Sequence, residues 1–169
     1  MRYIWYYETP IGKLGIAQED EAISHILFDG DMRLDDYEKK ETKIIQKTAN
    51  QLNSYFHGEL KEFDIPLLLN GTPFQKQVWQ ALMEIPYGQT CSYKDVAEKI
   101  GNPKAVRAVG LANNKNKIPI IIPCHRVIGT NGKLVGYAGG LKVKQQLIEL
   151  EIAGAPVMTK LGHNDKTKP

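Results

Sequence analysis

Cysteine is scarce in this sequence: among 169 residues there are two, Cys91 and Cys124. Two thiols cannot supply the disulfide framework of a small secreted domain, and they suit a reducing compartment. No Cys-x-x-Cys or His-Glu-x-x-His pattern occurs, and the four histidines (His25, His57, His125, His163) are scattered. A structural zinc site needs about four such ligands close together, so no metal is expected. Long apolar runs are missing too. The longest cover residues 67–69 and 120–123, far short of the ~20 residues of a membrane span. The opening Met-Arg-Tyr-Ile-Trp-Tyr-Tyr-Glu holds no apolar stretch of signal-peptide length. A cytoplasmic protein without a membrane anchor is therefore expected. With 42% hydrophobic and 24% charged residues, the chain has material for a real core and not the composition of a disordered segment.

Acidic residues are missing from one half. The first 70 residues carry 8 Lys and Arg against 13 Asp and Glu, a net of −5; the remainder carries 14 against 6, a net of +8. Residues 99–148 contain no acid at all, but nine bases: Lys99, Lys104, Arg107, Lys115, Lys117, Arg126, Lys133, Lys142 and Lys144. An ordinary solvated face mixes both signs, because opposite charges at helical spacing support each other. Fifty residues of one sign point to a polyanion, and nucleic acid is the commonest.

The pattern along the chain is α+β. Residues 2–7 and 13–18 read as strands around Pro10-Ile11-Gly12, with a third strand over 22–28 ended by Gly30-Asp31. Residues 42–57 read as a helix with Ile45, Ala49, Leu52 and Phe56 on one face. Residues 59–69 read as extended, before a turn at Asn70-Gly71. A small antiparallel sheet with one helix is thus expected over residues 1–70. A mainly helical domain is expected over 71–156, with helices over 73–85, 93–100, 103–113 and 141–152. The second and third of these, joined through Gly101-Asn102-Pro103, make a helix-turn-helix pattern, and Lys104 and Arg107 lie on its second helix. Residues 118–122 read as buried extended backbone. Gly129-Thr130-Asn131-Gly132 reads as the turn of a hairpin between 127–128 and 133–137, a wing beside the helices. Residues 157–169 read as a polar tail.

One segment carries candidate chemistry: Pro123-Cys124-His125-Arg126. A thiol beside an imidazole and a guanidinium sits in an electropositive setting that favours thiolate, and the imidazole could serve as its base. A bare Cys-His pair is more often a small buried hydrophobe next to a core histidine. In an extended segment the two side chains also point opposite ways. Cys91, in Gln-Thr-Cys-Ser, has no such neighbours and reads as inert core.

Ile122-Pro123-Cys124-His125-Arg126-Val127-Ile128 resembles the active-site motif of the 6-O-alkylguanine-DNA alkyltransferases, the methylated-DNA–protein-cysteine methyltransferases. So do Phe74-Gln75-Lys76-Gln77-Val78-Trp79, Ile85-Pro86-Tyr87-Gly88, Ser92-Tyr93, Gly101-Asn102-Pro103-Lys104-Ala105-Val106-Arg107, Asn116 and Gly136-Tyr137-Ala138-Gly139-Gly140-Leu141, in the family's order and spacing. The resemblance implies a ribonuclease-H-like N-terminal domain and a winged helix-turn-helix. It implies repair of duplex DNA carrying alkylated guanine, and possible action on 4-O-methylthymine, by one irreversible transfer to Cys124. In those roles His125 deprotonates Cys124 through a bridging water, Glu151 orients His125, and Asn116 is a hinge. Tyr93 crowds a phosphate and donates toward the guanine ring. Arg107 enters the base stack as the base is extruded, while Lys104, Lys115, Lys117 and Arg126 serve as DNA contacts. Tyr93, Pro119, Val127, Tyr137 and Ala138 line the base pocket; Ala138 stands where some relatives carry Ser. No cofactor, no metal and a monomer are expected. Two other readings are a DNA-binding module of the alkyltransferase-like kind, which lacks the acceptor cysteine, and a Cys-His hydrolase. Alkyl groups taken per chain separate the three: one, none, or many turnovers.

Overall fold

A computed structural model describes residues 1–30 and 34–157. The expected strand stop at Asp31 and the tail from residue 158 onward lie outside the described residues. The chain divides into two compact units, Met1–Leu68 with the segment that begins at Ala153, and Leu69–Ile152.

In the first unit β1 (Arg2–Thr9) and β2 (Gly12–Glu19) pair antiparallel, and β3 (Ala22–Phe28) pairs antiparallel with β2. The tight turn needs glycine at its exit, where Gly12 has φ +107°. A two-residue strand that the sequence does not announce, β4 (Glu38–Lys39), runs parallel to β1, so the sheet is mixed, in the order β3-β2-β1-β4. Helix α1 (Lys43–Phe56) lies on the sheet. Thr42 caps it, its side chain accepting from the Ile45 N–H at 3.2 Å. Ile45, Leu52 and Phe56 are buried as their spacing predicts, but Ala49 is only half-buried and Thr48 fills the core instead. Burial of that hydroxyl is tolerable because it donates to the Ile44 carbonyl at 2.8 Å. Residues 59–69 form no strand, only a single bridge between Leu67 and Ile23. Val157, read as the first residue of a polar tail, is buried and donates to the Phe56 carbonyl at 3.0 Å.

The second unit opens with α2 (Pro73–Met83), started by a reciprocal capping box between Thr72 and Gln75. Trp79 is its anchor: it is buried, and its indole N–H donates to the Ala112 carbonyl at 2.9 Å. Gly71 lies so close to this ring that a Cβ there would sit 2.5 Å from Trp79 Cη2. The strand β5 (Cys91–Ser92) leads into α3 (Tyr93–Lys99), capped by a reciprocal Ser92–Asp95 box. Helix α4 (Val106–Asn114) begins three residues later than Pro103 suggests. Pro103 and Lys104 lie instead in a turn, with the Ala105 N–H donating to the Asn102 carbonyl at 2.9 Å.

Two further expectations are corrected. Residues 118–122 are buried, but as a tight turn and not as extended chain: the Ile122 N–H donates to the Ile118 carbonyl at 2.9 Å, and Ile120 sits at φ +74°. The wing has its turn, with the Gly129 N–H donating to the Lys133 carbonyl at 2.9 Å, but residues 133–137 form no second strand. The strand β6 (Val127–Ile128) pairs parallel with β5 instead, Cys91 opposite Val127. Helix α5 (Leu141–Ala153) closes the unit.

Candidate active site

Cys124 opens a single 3-10 turn, Cys124–Arg126, directly after the buried 118–122 turn. That curvature removes the geometric objection that an extended segment raises, because neighbouring side chains no longer alternate sides. The preceding turn is strained. A β-branched residue in the left-handed region, such as Ile120, is uncommon and unfavourable by about 1–3 kcal/mol. Its 1% exposure holds it in place. Asn116 clamps the turn from both ends: its amide N–H donates to the Ile122 carbonyl at 2.8 Å and its Oδ1 accepts from the Ile118 N–H at 3.0 Å.

His125 is fully buried, and its Nε2 lies 2.6 Å from Glu151 Oε2. Glu151 comes from α5, 26 residues along the chain. Its carboxylate also accepts from Arg126 Nε at 2.8 Å and Nη2 at 3.1 Å, and from the Gly88 N–H at 3.3 Å. The remaining arm of Arg126 donates to the Ile85 carbonyl at 2.6 Å, and its guanidinium lies over the Tyr87 ring. A carboxylate with four donors, one of them a bidentate guanidinium, is ionised. It therefore accepts the Nε2–H of His125 and leaves Nδ1 as the basic nitrogen.

The electrostatics overturn one expectation. Burial pushes the Cys124 thiol up to about 11, against weaker opposing pulls from the Asn116 side chain and the Lys144 charge. Burial thus opposes the thiolate that the neighbouring bases would favour. Arg126 lends it little positive field because its charge is matched by Glu151. Burial also lowers His125, outweighing its bond to Glu151, so the imidazole is neutral and able to take a proton. Cys91, too, is pushed up to about 11 by burial, with Asp95 adding to the rise. Thiol acidity thus fails to separate the two cysteines. What separates them is the imidazole–carboxylate pair that follows Cys124.

Arg126 is also corrected as a DNA contact. It is 8% exposed and its donors are taken up inside the protein. Lys104, Arg107 and Lys115 are exposed, Arg107 on the outer face of α4. Lys117 is exposed as well, its ammonium donating to the Asn70 carbonyl at 2.9 Å. Of the proposed pocket, Pro119 and Val127 are buried within five residues of Cys124 in sequence, and Tyr93 and Tyr137, raised chiefly by burial, lie within electrostatic reach of the Cys124 sulfur. Ala138 lies exposed in the turn before α5. Tyr93 at the start of α3 donates through its hydroxyl to the Val135 carbonyl at 3.1 Å.

Lys144 is a residue that sequence reasoning counted only as one base among nine. It is buried, and its ammonium donates to the carbonyls of Val135 at 2.9 Å and Gly136 at 3.4 Å. It ties down the irregular 133–137 segment and places a positive charge within reach of Cys124. Its signal was present: Lys144, Leu147 and Glu151 recur at i, i+3 and i+7, on the stripe that α5 buries.

Comparison with known proteins gives a consistent picture. The profile of the 6-O-methylguanine DNA methyltransferase DNA binding domain matches residues 73–153, and that of the same proteins' ribonuclease-like domain matches residues 1–69. The chain is 50% identical over 152 residues to a methylated-DNA–protein-cysteine methyltransferase of Methanosarcina acetivorans, covering 88% of this chain and 97% of that protein. The constitutive methylated-DNA–protein-cysteine methyltransferase of Bacillus subtilis is 47% identical over 158 residues, covering 89% and 96%. Among solved structures, the Mycobacterium tuberculosis OGT protein in complex with DNA superposes with a TM-score of 0.86 at 45% identity, covering 91% of this chain and 95% of that one.

Proposed function

The chain belongs to the 6-O-methylguanine DNA methyltransferase family, and on that premise we infer that the Cys124 site removes alkyl groups from guanine in duplex DNA by direct reversal. The observation that carries the assignment of roles is the buried His125–Glu151 bond of 2.6 Å immediately after the cysteine. The Cys124 proton passes to His125 Nδ1 as sulfur attacks the saturated alkyl carbon. The S–C bond forms, the C–O bond to guanine breaks, and the leaving guanine takes up a proton. Because burial raises the thiol above its ordinary range, the neighbouring imidazole is needed to take its proton. The product is a thioether that nothing in the site can hydrolyse, so each chain reacts once.

Asn116 holds the cysteine turn. Tyr93 exchanges its bond to Val135 for the guanine ring, and Pro119, Val127, Tyr137 and Ala138 border the base. The lesion lies inside a duplex and must be extruded, at the expense of a few kcal/mol of stacking and pairing. Arg107, exposed on the second helix of the helix-turn-helix, fills the vacated stack, and Lys104, Lys115 and Lys117 contact phosphates. The alkyltransferase-like alternative requires the acceptor to be missing, and Cys124 is present. We place the protein in the cytoplasm, where a reducing milieu keeps the acceptor thiol usable. No helix among the described residues is long and apolar enough to cross a membrane.

The test is transfer from DNA labelled in the methyl group, followed by peptide mapping. One label per chain on Cys124 is expected, with none in Cys124→Ala, which should still bind DNA. Label on Cys91, or repeated turnover, would overturn the assignment.

A further inference from the structure

The buried cluster behind Cys124 holds a positive charge that a Cys-His-Glu relay does not require. Arg126 Nε and Nη2 donate to the Glu151 carboxylate, Nη1 donates to the Ile85 carbonyl at 2.6 Å, and the guanidinium lies over the Tyr87 ring. A charge is costly to bury unless it is paired and hydrogen-bonded, and here segments from both sides of the unit supply the partners. Such an arrangement calls for a reason beyond filling space.

Counting charge supplies one. Glu151 shares its carboxylate between His125 Nε2 at 2.6 Å and the Arg126 guanidinium. The Glu151–Arg126 pair is neutral as a unit, so a proton on His125 adds net positive charge to a buried site. Without Arg126 the same proton would cancel a buried negative charge. An opposite charge at this range typically moves a titration by about one to three pH units. The groups that face the imidazole from elsewhere leave this balance in place. Lys144 of α5 is buried and also disfavours a proton on His125, and its ammonium donates to the Val135 and Gly136 carbonyls. Cys124, Cys91 of β5, Tyr87 and Tyr137 are all pushed up by burial, which favours their uncharged forms. Helix α2 packs on the same turn, and its charged residue, Lys76, is exposed.

We propose that Arg126 is a positioning residue for the transfer reaction: by holding Glu151 with two N–H groups it keeps His125 unprotonated, and so able to take the Cys124 proton, at neutral pH and somewhat below. The proposal rests on the alkyl-transfer reading above. Burial first, and then the Arg126 charge, lower His125 against the pull of Glu151. Without Arg126 the His125–Glu151 pair would bind a proton between them. Whether that proton sat on the imidazole or on the carboxylate, Nδ1 would carry hydrogen and could accept none from sulfur. Arg126 thus sets the lower pH limit of the reaction without touching the DNA.

The experiment measures single-turnover methyl transfer to the full chain from a saturating methylated duplex, at pH 6.5 and at pH 8.5. The quantity read is the ratio of the two rates within one preparation, so a partly inactive variant still reports. In the unsubstituted protein the two rates should agree within about twofold, because His125 lies below 6.5. Arg126→Gln keeps an N–H for Glu151 but no charge. It should react about tenfold more slowly at pH 6.5 than at pH 8.5, as a base titrating near pH 7.5 would. Arg126→Lys restores the charge and should bring the ratio back to within about threefold. Lost packing alone would slow both rates equally. An unchanged ratio in Arg126→Gln, or a tenfold ratio that persists in Arg126→Lys, overturns the inference. Should neither variant fold, nitrogen NMR of His125 in the unsubstituted protein decides: a neutral ring with hydrogen on Nε2 at pH 7 supports the inference, and an imidazolium overturns it. No transfer by the unsubstituted protein at either pH would overturn the alkyl-transfer reading itself, and the NMR measurement would still test Arg126.

Discussion

Replacing Glu151 by glutamine tests the site at its centre. The carboxylate meets four donors: Oε2 accepts from His125 Nε2 and Arg126 Nη2, and Oε1 from Arg126 Nε and the Gly88 N–H. Glutamine keeps the shape but has one acceptor oxygen. If its NH2 replaces Oε2, it faces two donors, and His125 must shift its proton to Nδ1, the nitrogen needed as base. If it replaces Oε1, Arg126 Nε and Gly88 lose their acceptor. In either case the Arg126 guanidinium, 8% exposed, loses its counter-charge. Breaking a buried ion pair from one side typically costs about 3–5 kcal/mol. For a chain of this size that corresponds to a fall in Tm of roughly 6–20 °C. Losing the correctly placed base should slow methyl transfer by ~10²–10⁴-fold. Combining Glu151→Gln with Arg126→Met separates the two effects, because removing the orphaned charge should restore much of the melting temperature but none of the rate. Thermal melting and single-turnover transfer on a methylated duplex measure both. Recovery of the rate together with stability in the double variant would show that Glu151 acts only as a partner for Arg126, and the tautomer argument would fail.

Three further outcomes follow from the same geometry. Lys144→Met removes the charge that favours the Cys124 thiolate and the tether on Val135 and Gly136; transfer should slow by at least about tenfold, and a native rate would remove Lys144 from the site. The pH dependence has a definite sign on both sides. His125 is depressed from 6.5, so the unfolded chain binds more protons and stability should fall as pH drops below that value; Cys124 is raised from 9.0 to about 11, so stability should fall as pH rises above 9. Transfer should stay nearly flat between pH 7 and 9, where a bare thiol would gain thiolate, and a steep rise there would exclude His-assisted attack. Finally, Arg107→Lys should react slowly on duplex but almost normally with free 6-O-methylguanine, since the planar guanidinium matters only for the base stack. Equal losses on both substrates would indicate a damaged pocket.

The periodic and capped parts of this chain were legible from sequence because their causes are local. The apolar stripe of α1, the turn that ends at Gly12 and the helix read over 141–152 each depend on residues within a few positions. The acid-free stretch and the Cys124-His125 pair likewise lie open in the linear text. What tertiary structure alone decided is how charge is spent. Arg126 reads as a DNA contact and Lys144 as one base in an acid-free run, yet both are buried together with Glu151, and the partners of these three lie up to 63 residues away, where Glu151 accepts from the Gly88 N–H. Burial at a site assembled from distant segments sets the direction of each shift. It raises the thiol that sequence neighbours suggested would be acidic, and it turns Arg126 from a phosphate contact into the counter-charge of Glu151. Desolvation depends on the whole surrounding volume, and no short window of sequence contains that volume.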